Sequence, residues 1–175
     1  MASRVRTGIA SILAGLLFFL GQGGELAFGE SIPEGVYVTL GAGGFVALGV
    51  ALWGFRELVG QTRLGRIGIR TALVGAGFLL LFVIQLFVEL VRTGDVPENF
   101  ILFLIGFLLI LVGQVLFARD LRPSLGRAWM LPIVGVAGLV MALFLNAIGL
   151  HDIGLFVFEG AWVALGVTLL RANGG

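Results

Sequence analysis

The chain has 175 residues, of which 59% are hydrophobic and 12% charged, with 29 glycines and no cysteine. A soluble domain carries about 25% charged residues, so the composition excludes an ordinary water-soluble fold. The absence of cysteine excludes disulfides, thiolate nucleophiles and cysteine-held metals. The net charge of +1 says little as a total, because the two signs are segregated along the chain and nothing in their pattern points to nucleic acid.

Apolar runs predict helices over 8–28, 36–55, 70–91, 99–118, 129–149 and 153–171. Each is close to the 20 or so residues that cross a bilayer as a helix. None shows the period-two alternation of a barrel strand, and only a helix or a closed barrel satisfies its backbone in lipid. The first run follows Arg4 and Arg6 and places Gly15, Phe18, Gln22 and Glu25 on one face. Its basic-then-apolar order also fits a secretory leader, whose removal would upset the charge alternation described below. A turn around Pro33 leads to the second run, which carries Gly43, Ala47 and Ala51 and ends at Trp53.

After the basic link of Arg56, Arg63, Arg66 and Arg70 comes the third run. One face of it holds Phe78, Phe82, Gln85 and Glu89, and another the small residues Gly68, Ala72 and Ala76. The segment TGDVPEN (93–99) is a turn. The fourth run contains Gln114, expected to hydrogen-bond between helices. Arg119, Arg122, Pro123, Ser124, Gly126 and Arg127 form the next link. The fifth run has Pro132 in its first turn, where proline costs little, then Gly138, Ala142 and Asn146. A short link at His151 and Asp152 makes the last two helices antiparallel neighbours. The sixth run carries Glu159 and the small-residue stripe Gly160, Ala164 and Thr168. Such stripes allow helices to pack closely, and one of them could face a second copy.

Arginines occupy alternate connections, and Arg92 alone breaks the alternation. Glu30, Glu34, Asp95, Glu98 and Asp152 lie in the other connections. Basic loops stay in the cytoplasm, so the expected object is all-α: a six-span integral membrane bundle with both termini cytoplasmic. Arginine without lysine suggests a high-GC prokaryote, and the expected location is its plasma membrane. Residues 1–175 form one transmembrane domain, with the lipid bilayer as the first partner and a homo-oligomer or membrane-protein partner as a further one. The ends of alternate runs repeat as LGVALW (48–53), VGQVLF (112–117) and LGVTLL (165–170). They suggest three parallel helical hairpins, 6–56, 70–119 and 127–171, related by an axis along the membrane normal.

Polar groups inside spans carry a cost and attract a functional hypothesis. Gln22, Glu25, Gln85, Glu89, Asn146, His151 and Glu159 fall in the outer half and form a candidate polar pocket. Glu159 lies about 9 Å inside its span at 1.5 Å per residue. A carboxyl there must be protonated, paired or wetted. It could take part in transport, or it could hold helices together through Gln22, Gln85 or Asn146. Glu25 and Glu89 are close enough to the boundary to snorkel into head groups. A single histidine makes bis-histidine haem ligation within the chain impossible and a zinc site improbable, so no cofactor or metal is expected.

No GxSxG, HExxH, P-loop or dinucleotide fingerprint stands in a usable context. Hairpins with Gly-x-x-Leu ends resemble the HdeD-type small membrane proteins linked to acid resistance. The resemblance implies an accessory or stress-related membrane protein, and it carries over no functional residues. The leading expectation is a non-enzymatic accessory or scaffold protein. The alternative is a small transporter or channel for a proton, cation or small solute. The two divide on whether the polar faces meet in one cavity.

Overall fold

The computed structural model describes residues 2–28, 33–59, 61–94, 100–145 and 149–172; for Ala2, Glu25, Glu34 and Leu143 it describes the backbone alone. Glu30, Asp95, Glu98 and Asn146, all invoked above, lie outside the described residues. Every described element is helical: α1 (Ala2–Phe28), α2 (Glu34–Phe55), α3 (Arg63–Thr93), α4 (Ile101–Ala118), the short α5 (Arg122–Leu125), α6 (Leu131–Leu145) and α7 (His151–Arg171). Single turns of 3-10 helix flank α5. Five stretches are long and apolar enough to cross a membrane: Ser3–Phe28, Gly35–Phe55, Arg63–Thr93, Ile101–Ala142 and His151–Arg171. Large apolar side chains cover the exterior, from Val91 at 84% exposure and Phe144 at 77% to Ile84 at 60%. Hydrocarbon, not water, suits such a surface.

Neighbouring helices are antiparallel and held at backbone contact by glycine. On α1 and α7, a methyl at Gly8 would lie 3.0 Å from the Gly166 carbonyl and one at Gly15 would lie 2.6 Å from the Glu159 carbonyl. The chain's first and last helices therefore run oppositely, and Ala2 and Arg171 share one end of the bundle, called here the termini end. Gly68 meets residues 113–117 and Gly75 meets Gly106 between α3 and α4. Gly138 and Ala142 meet Gly154 between α6 and α7. Contacts are densest for α1 with α2, α3 with α4, α6 with α7 and α1 with α7; looser packing of α2 on α3 and of α4 on α6 closes a ring.

Several details differ from the sequence reading. The third helix begins at Arg63 instead of 70, so Arg63, Arg66 and Arg70 ride on a helix and not in a loop. The cause is a cap built from afar. Thr62 accepts from the Gly65 amide through its hydroxyl oxygen, and Asp120 in turn accepts from the Thr62 hydroxyl at 2.8 Å and the Thr62 amide at 3.1 Å. A capped first turn tolerates arginine, which is a good helix former. The helix ends at Gly94, left-handed at φ 81°. Gln114 does not bridge helices: it is fully buried, and neither amide atom has a hydrogen-bond partner. Gly160, the first residue of its small-residue stripe, does not pack against another helix, since nothing lies within 4 Å of a methyl placed there.

Candidate functional site

The ring encloses a cavity of about 690 Å³ toward the end opposite the termini. Helical spacing explains which residues reach it. On α2, Tyr37, Gly41, Phe45 and Leu48 recur at intervals of three or four and line one wall. On α1, Phe18 and Gln22 stand one turn apart. On α7, Asp152, Leu155 and Glu159 follow the same rule, so the two acids share a face about 10 Å apart along the axis. Phe103 and Phe107 come from α4, and Leu139 from α6.

The polar groups form two levels. Near the far end, Gln22 Nε2 donates to Asp152 Oδ1 at 2.6 Å, joining α1 to α7. His151 Nε2 lies 3.5 Å from the same oxygen, longer than a good hydrogen bond. The His151 side chain is 45% exposed and that of Asp152 23%. Two helical turns deeper, Glu159 is only 4% exposed, and its Oε2 has no hydrogen-bond partner. The Gln22 amide donates to Asp152 and not to the unpartnered Glu159 oxygen. No arginine lines the cavity.

Phenyl rings dominate the remaining wall. Phe18 meets Phe45 edge-to-face at 5.0 Å and 68°, and Phe45 meets Phe103 at 6.0 Å and 71°. Phe103 stacks on Phe107 at 5.4 Å. Below the cavity, toward the termini end, the bundle is solid. Phe158 touches Trp162, Trp162 touches Phe55, and Phe55 stacks on Phe117, with centroids 6.0–6.3 Å apart. Leu52, Leu121 and Leu169 are completely buried around them. The cavity is blind at this end.

Of the residues singled out in the sequence, Gln22, His151 and Glu159 line the cavity. Gln85 and Glu89 do not: they stand half-buried on α3, a helix that contributes nothing to the cavity wall. Their face packs through Phe82 against Phe100 and Phe103 instead. The side chain of Glu25 and all of Asn146 lie outside the described residues. Asp152, expected beside His151 in the outer link, lines the cavity as well, and the ring-bearing residues Tyr37, Phe45, Phe103 and Phe107 enter the site unanticipated. The Tyr37–Gly41–Phe45–Leu48 spacing on α2 was the available signal. Among the described residues, no three His, Asp or Glu side chains gather as a metal site.

No family model matches the chain, and no curated protein or solved structure matches it.

Proposed function

We propose that this chain is a six-span membrane protein whose cavity binds a small cation or solute from the outer side, as a transporter or channel. The observation that carries this reading is Glu159: a buried carboxyl with an unpartnered oxygen, facing a cavity that it shares with Asp152 and Gln22. A polar group in hydrocarbon without a partner costs several kcal/mol, of the order of 2–7, and a bound ligand or water relieves that cost. The solid floor of Phe55, Phe117 and Trp162 makes the arrangement outward-open and inward-closed, one end-state of alternating access.

Six crossings are supported by the stretch Ile101–Ala142, whose 42 residues would measure about 63 Å as one straight helix, twice a bilayer core. Turns at Arg119–Met130 fold it into α4 and α6, which pack together. The hairpin pairings α1–α2, α3–α4 and α6–α7 support the threefold repeat. The arginines other than Arg92 support cytoplasmic termini, and arginine without lysine supports the plasma membrane of a high-GC prokaryote. The reading is non-enzymatic. A stress-related role of the HdeD kind is compatible with it.

An accessory or scaffold role keeps one observation of its own. The Gly160 face of α7 is open, with nothing within 4 Å of a methyl there, and a second membrane helix could lie on it.

The chain has no native cysteine, so accessibility reports cleanly. Glu159→Cys in intact cells is expected to react with a small, membrane-impermeant thiol reagent, and Asp152→Cys at the rim is the control expected to react as well. In vesicles, Glu159→Gln is expected to abolish cation- or solute-dependent flux. A dry position 159 beside a labelled position 152, with no flux in the native chain, would leave the scaffold reading in place.

A further inference from the structure

Resting on the cavity reading above, we infer that the cavity is a cage for a monovalent organic cation with apolar substituents, a quaternary ammonium or phosphonium, held by phenyl faces and by the Glu159 side. Three features point there, and they are independent. The first is size. A cavity of about 690 Å³ falls within the 300–1,000 Å³ that hold drug-sized ligands, and far exceeds what one inorganic ion needs. The second is the wall. Phe18, Phe45, Phe103 and Phe107 are arranged as edge-to-face pairs at 68° and 71° plus one stacked pair, so the cluster presents ring faces in more than one direction. Ring faces carry negative quadrupole density and attract cations within about 6 Å, most strongly when both are desolvated.

The third feature is the sign and scarcity of the polar groups. Calcium and magnesium take six or more oxygen ligands and zinc four, but the oxygens here are few and spread over two levels, and among the described residues no three His, Asp or Glu side chains gather. Asp152 is engaged by Gln22 through one oxygen at the upper level, and the unpartnered Glu159 oxygen stands two turns deeper, too far apart for one ion to gather both. Among the described residues no arginine lines the cavity, and His151, the basic side chain in its wall, sits at the rim beside Asp152, two turns from Glu159. A diffuse positive charge wrapped in apolar groups satisfies all three features, whereas a hydrated inorganic ion matches neither the size nor the wall, and an organic anion matches the size alone.

The test uses the purified full chain in lipid nanodiscs, with tetraphenylphosphonium and tetraphenylborate as probes read by calorimetry. The two ions share size and shape and differ in charge sign. The expected result is saturable 1:1 phosphonium binding at least tenfold tighter than borate binding. Phe45→Leu is expected to weaken phosphonium binding about five- to thirtyfold while Phe45→Tyr, which keeps the ring face, stays within about twofold. Glu159→Gln is expected to weaken it at least tenfold. Equal binding of both ions, or equal losses in Phe45→Leu and Phe45→Tyr, would reduce the site to an unselective apolar pocket and overturn the inference. Thiol labelling at position 159 separates the two levels of the reading. A labelled site with Glu159-dependent flux but no phosphonium binding overturns the ligand class and leaves the transport reading standing. A dry site removes both.

Discussion

Gly15→Ala adds one methyl group where α1 crosses α7 at the level of Glu159. That methyl would sit 2.6 Å from the Glu159 carbonyl oxygen, 2.7 Å from Val163 Cγ2 and 3.1 Å from the Val163 amide. The valine methyl can rotate away; the carbonyl is backbone and cannot. Relaxed contacts lie at about 3.5–4.0 Å, so the two helices must part by about 1 Å. Overpacking of this kind costs roughly 1–3 kcal/mol, and alanine's helix propensity returns up to about 1 kcal/mol of it.

Gly160→Ala is the matched control. It follows Glu159 directly in the chain, yet a methyl there meets nothing within 4 Å, so it keeps the propensity gain and meets no clash. The two variants should differ by about 1–3 kcal/mol. For a chain of this size each kcal/mol shifts the melting temperature by about 2–4 °C. Thermal unfolding followed by far-UV circular dichroism in a single detergent should therefore place Gly15→Ala about 2–12 °C below Gly160→Ala. Equal melting temperatures, or the reverse order, would refute the close α1–α7 crossing and with it the position of Glu159 at the cavity.

Gly41 lines the cavity and a methyl there touches nothing; Gly41→Phe should occupy part of that space and weaken ligand binding while the melting temperature moves by less than about 2 °C, and a variant that binds as before would place the ligand elsewhere. Gln114→Leu removes two buried, unpartnered amide atoms at nearly constant volume, so it should stabilise by about 1–3 kcal/mol in the same melts; a loss of stability would mean that the amide is bonded in the working protein. Asp120→Ala should cost about 1–3 kcal/mol, because its carboxylate accepts from both the hydroxyl and the amide of Thr62. A double-mutant cycle with Thr62→Val should return a coupling near 1 kcal/mol, and strict additivity would count against the brace.

Helices are legible in this sequence because each apolar run is long enough, taken alone, to settle its own solvent and its own backbone hydrogen bonds. That information is local and additive along the chain, so Pro132, the turn at 93–99 and the link at 119–127 could be read as boundaries without knowing the fold. The third helix was misplaced at its start for the opposite reason: its cap is completed by Asp120, and Thr62 and Asp120 stand 58 positions apart. The site divides in the same way. Glu159 stands out in any reading as a carboxyl within an apolar run, and Gln22 as an amide on the face of α1 that carries Phe18.

What Glu159 faces, and what Gln22 binds, depended on ring closure. Gln22 and Asp152 are separated by 130 residues and meet only because glycines at positions 8, 15 and 166 let α1 and α7 touch along their length. Gln85 and Glu89 have the same periodicity on α3 as Gln22 has on α1, yet α3 packs against α4 and leaves them off the cavity wall. Periodicity assigns a residue to a face of its own helix; only the packing of the other helices decides whether that face meets lipid, a neighbour or an enclosed space.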